Sequence, residues 1–203
     1  MITVIESGIP VNFQKHIEDS VYNLSLVYQP NTSYNLAYQN DFATKGYMAI
    51  KATDANIVDN GHFAHLVMDN GQIYSTHWGV VSPILYMFAE KAGIEVNEIT
   101  RIRINLLIQD KEFTSNFYNA PHTDITGSKS FVYYVNDSDG DTVLFNEFLQ
   151  EGCPIEDGPG NLTIAQRVSP KRGRGVFFEK GRYHTSSNPK SNYTRYVINF
   201  NFR

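Results

Sequence analysis

The sequence predicts a mainly β protein with flanking helices, whose strands form a double-stranded β-helix, the cupin-like fold also called a jelly roll. Short β-prone runs follow one another through the second half of the 203-residue chain. Turn residues separate most of these runs, at spacings typical of a sandwich or a jelly roll. The chain also contains thirteen Tyr and thirteen Phe, aromatic residues that favour strands.

Eight strands are predicted between residue 100 and the C-terminus. They are 101–109 (RIRINLLIQ), 122–125, 130–136 (SFVYYVN), 141–146 (DTVLFN), 162–168 (LTIAQRV), 175–180 (GVFFEK), 182–187 (RYHTSS) and 195–202 (RYVINFNF). Turn signals lie at 137–140, 157–160, 170–175 and 188–189, where Gly, Pro, Asn and Asp are concentrated.

The first half of the chain has a mixed pattern. Residues 1–6 read as a short strand, and 11–23 as an amphipathic helix with apolar residues at helical spacing. Residues 30–60 indicate loops and short strands. The segment 62–78 predicts a hairpin, because Asn70-Gly71 favours a type I′ turn between two β-prone runs. A second helix is predicted over 80–92, with Pro83 near its first turn and Gly93 as its stop.

No linker divides the chain, so a single domain over 1–203 is expected, with a supporting and substrate-facing region over 1–99 and a jelly-roll core over 100–203. The net charge of −4 argues against a nucleic-acid binder. The single cysteine, Cys153, gives no internal disulfide, and neither a secretory signal nor a membrane span is evident. A cytoplasmic protein is the default expectation; oligomeric state is left open.

Three residues predict a metal site. His122 and Asp124 are two positions apart, so in a strand they project from the same face, and His184 comes from a different predicted strand. Two imidazoles and one carboxylate form the facial triad of non-haem Fe(II) oxygenases, which leaves three octahedral positions open. The same ligand set also suits Zn(II) in a hydrolase. His62 and His65, in the predicted hairpin, are interpreted as structural rather than as ligands, and His16 and His77 have no evident role.

Arg195 lies at the start of the last predicted strand. Alternation places it on one face with Val197 and Asn199, while Tyr196 and Ile198 share the other face. An arginine among core-forming residues needs a partner, and a planar carboxylate is its best bidentate match. That carboxylate belongs either to a bound keto acid or to a protein Asp or Glu.

These residues and their order resemble the catalytic core of the 2-oxoglutarate- and Fe(II)-dependent oxygenases. The resemblance covers about 101–202 and is strongest to the prolyl-4-hydroxylase-like branch. It rests on PHTD at 121–124, Tyr134-Val135-Asn136, Gly140-Asp141-Thr142 with one glycine of the family's pair missing, and the C-terminal segments around His184 and Arg195. Small stand-alone proteins of this style occur in bacteria and their phages.

The resemblance implies roles for particular residues. His122, Asp124 and His184 would be the iron ligands, and Arg195 would bind the C5 carboxylate of 2-oxoglutarate, with Tyr134 as a further donor or else as a core tyrosine. Asn105 or Gln109 would lie near the C1 carboxylate.

The implied activity is O2-dependent hydroxylation of an unactivated C–H bond in a peptide or small molecule, with release of succinate and CO2. Substrate contacts are expected from 1–99 and from the loop 147–161. Two alternatives remain: a cupin-like metalloenzyme that does not use 2-oxoglutarate, and a non-catalytic jelly-roll binding protein.

Overall fold

The structure, a computed structural model, describes residues 1–30, 48–49, 56–58, 60–124, 127–149 and 162–203. The described residues form helix α1 (Val11–Tyr22) and helix α2 (Trp78–Ala92). The strands before α2 are β1 (Ile2–Ile5), β2 (Val27–Gln29), β3 (Met48–Ala49), β4 (His62–Asp69) and β5 (Gln72–Ile73). The strands after it are β6 (Ile99–Ile108), β7 (His122–Thr123), β8 (Lys129–Tyr134), β9 (Thr142–Phe148), β10 (Ile164–Val168), β11 (Gly175–Phe178), β12 (Arg182–Ser186) and β13 (Thr194–Phe202).

The strands form two antiparallel sheets. The larger sheet has the order β1-β11-β8-β13-β6-β4-β2, with β5 paired to β4, and the smaller sheet has the order β10-β9-β12-β7-β3. Strands β6 to β13 contribute four members to each sheet, and the chain passes from one sheet to the other at every step except β9 to β10, in the manner of a jelly roll. The predicted fold class is therefore confirmed.

The predicted elements of the first half are present, with small differences. The hairpin turns at Asn70 (φ 47°) and Gly71 (φ 79°), the two left-handed residues that a type I′ turn requires. Gly93 ends α2 with φ 64°. The helix begins at Trp78 rather than at residue 80, so Pro83, which was expected near the first turn, lies inside the helix.

The two helices cover the outer face of the larger sheet, as an exposed apolar sheet face requires. Phe88 of α2 packs against Phe131 and Tyr133 of β8, with ring centroids 5.0 Å and 5.7 Å apart. Ile17 of α1 and Ile198 of β13 are fully buried members of the same cluster. The outer face is thereby filled, and the inner face of the larger sheet is left to line the space between the sheets.

The alternation along β13 separates these two environments. Ile198 and Phe200 enter the cluster beneath the helices, whereas Arg195, Val197 and Asn199 line the interior. A second apolar cluster closes part of that interior, with Val132, Tyr134, Leu144, Val168, Val176, Phe178 and Val197 as its buried members.

Most of the predicted loops at 30–60 and 147–161, together with Cys153, lie outside the described residues. Neither helix in the described ranges has the length and apolar character that a membrane span would need.

Candidate active site

A cavity of about 470 Å³ lies between the two sheets. Strands β4, β6 and β13 of the larger sheet and β7, β9 and β12 of the smaller sheet all contribute lining residues. The cavity contains all three predicted metal ligands and Arg195. The four candidate residues, which come from three separate segments of the chain, therefore face one space.

The pairing of β7 with β12 brings the two predicted histidine ligands together. His122 and His184 are directly opposite each other in the antiparallel register, and their ring centroids are 4.6 Å apart. Strand β7 ends at Thr123, earlier than predicted, but Asp124 still projects into the cavity, whereas Thr123 is fully buried. The Nε2 atom of His184 lies 3.5 Å from Oδ2 of Asp124.

Backbone carbonyls orient both imidazoles. The Nδ1 atom of His122 lies 3.3 Å from the carbonyl oxygen of Ala120, and Nδ1 of His184 lies 3.1 Å from that of Arg182. A carbonyl can only accept, so each Nδ1 carries the hydrogen when the ring is neutral. Each Nε2 is then left with a free lone pair for a metal ion.

Asp124 is held as a carboxylate. The hydroxyl of Ser130 donates to its Oδ2 at 2.5 Å, and Asn201 in turn donates to the Ser130 oxygen at 3.1 Å. Burial would raise the pKa of Asp124, but His184, His122 and the donors Ser130 and Asn201 outweigh it and lower the pKa to about 2. Asp124 therefore offers a negatively charged carboxylate to the cavity at neutral pH.

His122 is neutral at the same pH. Its burial lowers the pKa to about 4, with a smaller lowering from His184 and an opposing effect of Asp124. A neutral imidazole is the form that binds a metal, so little proton competition at His122 is expected above pH 5.

The donor set fits a divalent metal ion. The ligand atoms of His122, Asp124 and His184 all lie within 4.8 Å of one another. Three donors on one face of an octahedral ion would lie roughly 3 Å apart at metal–ligand distances of ~2.1 Å, so small side-chain rotations suffice. The structure thus brings together the three residues that the sequence proposed as ligands.

Arg195 is 2% exposed and faces the same cavity. Its Nε donates to the carbonyl oxygen of Gly140 at 2.6 Å, and its Nη2 donates to Oγ1 of Thr142 at 2.8 Å. Among the described residues no carboxylate lies within 4.0 Å of it, so the alternative of a protein ion pair finds no support there. Two neutral acceptors leave the buried positive charge without a directly paired carboxylate among the described residues, which favours an anionic ligand.

Tyr134 is fully buried, and it is not among the residues that line the cavity. Its hydroxyl donates to Oγ1 of Thr142 at 2.7 Å and lies 3.3 Å from the carbonyl oxygen of Val168. Thr142, which does line the cavity, therefore accepts hydrogen bonds from both Tyr134 and Arg195. Its own hydroxyl hydrogen remains available to a ligand. Sequence reasoning missed this role, although Thr142 belongs to the segment that carried the resemblance.

The two polar residues proposed for the other carboxylate of 2-oxoglutarate lie in different places. Asn105 lines the cavity, and its Oδ1 is buried without a hydrogen-bond partner in the described part of the chain. Gln109 donates instead to the loop carbonyls of Lys190 and Ser191 and does not line the cavity. Strand β6 ends at Ile108, so the face alternation no longer holds at Gln109, and its proposed role is wrong.

Three further cavity residues were not anticipated. Arg101 and Arg103 of β6 have the same strand parity as Asn105, and this alternation was a signal available in the sequence. His62 of β4, interpreted as structural, also lines the cavity, where its Nε2 lies 3.0 Å from Nη2 of Arg103. Burial and the charge of Arg103 lower the pKa of His62 to about 3, so the neutral ring accepts this hydrogen bond.

Solved structures with the same fold include α-ketoglutarate-dependent enzymes. The non-haem α-ketoglutarate-dependent epimerase SnoN from nogalamycin biosynthesis matches with a TM-score of 0.55 and 10% identity, covering 100% of this chain and 77% of that one. HygX from Streptomyces hygroscopicus, solved with nickel and 2-oxoglutarate bound, matches with a TM-score of 0.51 and 9% identity over 99% and 82% of the two chains. A prolyl-4-hydroxylase from Pseudomonas putida has a TM-score of 0.49 and 13% identity, over 100% and 91%.

No protein-family model matches the sequence, and no curated protein does either. At these identities the structural likeness establishes the fold. The chain therefore has the fold of the 2-oxoglutarate- and Fe(II)-dependent oxygenases, and at that level the resemblance inferred from the sequence is confirmed.

Proposed function

We propose that this chain, which has the oxygenase fold, is itself a 2-oxoglutarate-dependent dioxygenase that hydroxylates an unactivated C–H bond of a peptide or small molecule. The observation that carries the proposal is the combination of two sites in one cavity. His122, Asp124 and His184 form a facial donor set, and the buried Arg195 faces the same space without a carboxylate partner among the described residues.

The triad would hold Fe(II), and Arg195 with Thr142 would hold the C5 carboxylate of 2-oxoglutarate. When bound, these groups supply the activation of O2 and the oxidative decarboxylation that yields succinate and CO2. The chain's own residues orient and shield them. Carbonyls of Ala120 and Arg182 fix the imidazole tautomers, and Ser130 fixes the Asp124 carboxylate.

Arg195 is well placed to bind a dicarboxylate. Its attachment to Gly140 and Thr142 fixes the guanidinium before any ligand arrives, so little side-chain entropy is lost on binding. The hydroxyl of Thr142, which accepts from Arg195 and Tyr134, would donate its own hydrogen to the same carboxylate. Tyr134 then supports the site through Thr142 instead of by direct contact.

Asn105 is the remaining polar candidate for the end of the cosubstrate nearer the metal, because its side chain faces the cavity and its amide Nδ2 can donate a hydrogen bond to a carboxylate. The neighbouring cavity walls contain Val132, Val197 and Leu107, apolar side chains that limit water around the bound groups. Substrate contacts are proposed from β2 and β4, which supply Val27 and Leu66 to the lining.

The two alternative functions explain fewer of these observations. A metalloenzyme without 2-oxoglutarate would have no reason to bury an arginine beside the donor set, and a non-catalytic protein would have no use for three converging ligands. A zinc hydrolase would use the same triad but not Arg195.

The direct experiment is anaerobic addition of Fe(II) and 2-oxoglutarate to the purified protein, monitored for the weak visible charge-transfer band of the chelate. The proposal predicts a saturable band that requires both additions. A protein that binds Fe(II) tightly but shows no band and no affinity for 2-oxoglutarate would support the alternative metalloenzyme instead.

A further inference from the structure

Two arginines on β6 face the cavity and have no part in the function proposed above. Arg101 and Arg103 both line the cavity. Ile102, which lies between them, and Ile104, which follows them, are fully buried in the cluster under the helices. In the pairing of β6 with β13, Arg103 is opposite Asn199 and Arg101 is opposite Asn201. Both guanidinium-bearing side chains therefore arise from one stretch of the cavity wall.

This stretch lies at the opposite end of the strand pair from Arg195. Arg195 is opposite Leu107, and it is four residues from Asn199, which corresponds to roughly 14 Å along a strand. Asp124 is close to the end with Arg101 and Arg103, because its hydrogen-bond donor Ser130 is opposite Asn201. A molecule held by Arg101 and Arg103 would thus lie beside the metal ligands, on the side away from Arg195.

Arg103 is fixed by a neutral group. Its Nη2 donates to Nε2 of His62 at 3.0 Å, an interaction that orients the guanidinium without balancing its charge. Within the described ranges no carboxylate lies within 4.0 Å of Arg103, and the arginine ion pairs found there involve other arginines. Beside it, Oδ1 of Asn199 is buried without a hydrogen-bond partner in the same described residues.

The formal charges of the cavity also favour an anionic ligand. Among its described lining residues, Arg101, Arg103 and Arg195 are the cations and Asp124 is the one carboxylate. A divalent ion at the triad raises the total to five positive charges against one negative. Bound 2-oxoglutarate would add two negative charges, and even with Arg101 left out of the count one positive charge remains for another ligand.

We propose that Arg101 and Arg103 form a subsite for an anionic group of the substrate, a carboxylate or a phosphate, held next to the metal. The inference rests on the proposed function and narrows its substrate to an organic anion. A guanidinium gives charge-assisted and often bidentate hydrogen bonds to both kinds of group. His62 is a positioning residue that holds Arg103, and Asn199 would accept a hydrogen bond from a hydroxyl or amino group of the same substrate.

The test uses the protein saturated with Fe(II) and 2-oxoglutarate under anaerobic conditions. Inorganic phosphate and, separately, acetate are titrated by calorimetry, while the charge-transfer band shows that 2-oxoglutarate stays bound. The variants are Arg103→Met, Arg101→Met and the charge-preserving Arg103→Lys. Arg174→Met is the control, because Arg174 lies outside the cavity and pairs with Glu6.

The proposal predicts one weak anion site in the wild-type complex. Its affinity should fall about tenfold or more in Arg103→Met, the loss expected for one charge-assisted hydrogen bond, and less in Arg103→Lys. Arg101→Met should act in the same direction, and provides the test if Arg103→Met does not fold. Tighter binding of phosphate would indicate a phosphorylated substrate, and tighter binding of acetate a carboxylic acid.

Two results would overturn the subsite: no anion binding to a wild-type complex with a normal charge-transfer band, or binding that the arginine variants do not weaken. A direct phosphate–metal contact belongs to the second case, since it would not depend on Arg103. Absence of the band itself would instead contradict the proposed function, so the two failures are distinguishable.

Discussion

His122 and His184 are opposite each other in the antiparallel pairing of β7 and β12, with ring centroids 4.6 Å apart. Residues 62 positions apart in the chain thereby become cross-strand neighbours on one face, the closest relationship that a sheet provides. A metal site built on paired strands is positioned by the backbone ladder, and Asp124 needs only to follow His122 on the same face.

Removal of one ligand should therefore abolish metal binding without loss of the fold. We expect His184→Ala to have no measurable Fe(II) affinity in anaerobic calorimetry while its circular dichroism spectrum stays like that of the wild type. His16→Ala is the control, because His16 is exposed on α1 and far from the site in the fold. Wild-type iron affinity in His184→Ala would remove this residue from the site.

The hydrogen bonds that Thr142 accepts from Arg195 and Tyr134 predict which substitution weakens 2-oxoglutarate binding more. Thr142 contacts both residues and faces the cavity, whereas the Tyr134 hydroxyl contacts, among the described residues, only Thr142 and the Val168 carbonyl. We expect Thr142→Val to weaken 2-oxoglutarate binding more than Tyr134→Phe does, because the first removes a ligand donor and a partner of Arg195. A 2-oxoglutarate titration of both Fe(II)-loaded variants checks this. A larger effect of Tyr134→Phe would show that the tyrosine contacts the cosubstrate directly.

Gly140 approaches Arg195 so closely that a side chain does not fit. A Cβ atom there would lie 2.5 Å from the Ser187 carbonyl oxygen and 3.0 Å from Cδ of Arg195. Gly140→Ala should lower the free energy of unfolding by ~1–3 kcal/mol, as overpacking does, and should weaken 2-oxoglutarate binding more than iron binding. Gly79→Ala is the matched control, since a Cβ atom at Gly79 meets nothing within 4 Å. Equal behaviour of the two variants in denaturant titrations would contradict the crowding at Gly140.

His62 predicts a pH dependence of stability. Burial and the charge of Arg103 lower its pKa from 6.5 to about 3. At a pH between these two pKa values, His62 is therefore protonated in the unfolded chain and neutral in the folded protein. The free energy of unfolding is therefore unaffected by His62 above pH 6.5, and it decreases as the pH falls toward 3. Between pH 7.5 and 5.0, the metal-free wild type should lose about 2 kcal/mol more unfolding free energy than His62→Gln, measured by denaturant titration. Parallel losses in the two proteins would show that the imidazole is protonated in the fold.

The parts of the site that follow from strand alternation could be predicted from the sequence. His122 with Asp124, and Arg195 with Val197 and Asn199, share faces because side chains alternate along strands, and the structure places them accordingly. The regular spacing of eight strands was likewise sufficient to predict the jelly roll. The resemblance supplied the order in which the ligands appear.

The errors arose where alternation stops or where a contact depends on the tertiary structure. Gln109 has the parity of Asn105, but β6 ends at Ile108 and the side chain turns to the carbonyls of Lys190 and Ser191. The position of Thr142 between Tyr134 and Arg195 depends on three strands from both sheets, so no local pattern contains it. The pairing of His62 with Arg103 depends in the same way on β4 lying beside β6.

The most direct test of the central claim is a 2-oxoglutarate titration of the anaerobic Fe(II) protein, comparing the wild type with Arg195→Met and with the surface control Arg174→Met. The account predicts saturable binding in the wild type and in the control. Arg195→Met should bind 2-oxoglutarate at least about tenfold more weakly with unchanged Fe(II) affinity, because charge-assisted hydrogen bonds contribute roughly 1.5–3 kcal/mol each. Equal 2-oxoglutarate affinity in all three proteins would contradict the role of Arg195 and, with it, the proposed dioxygenase function.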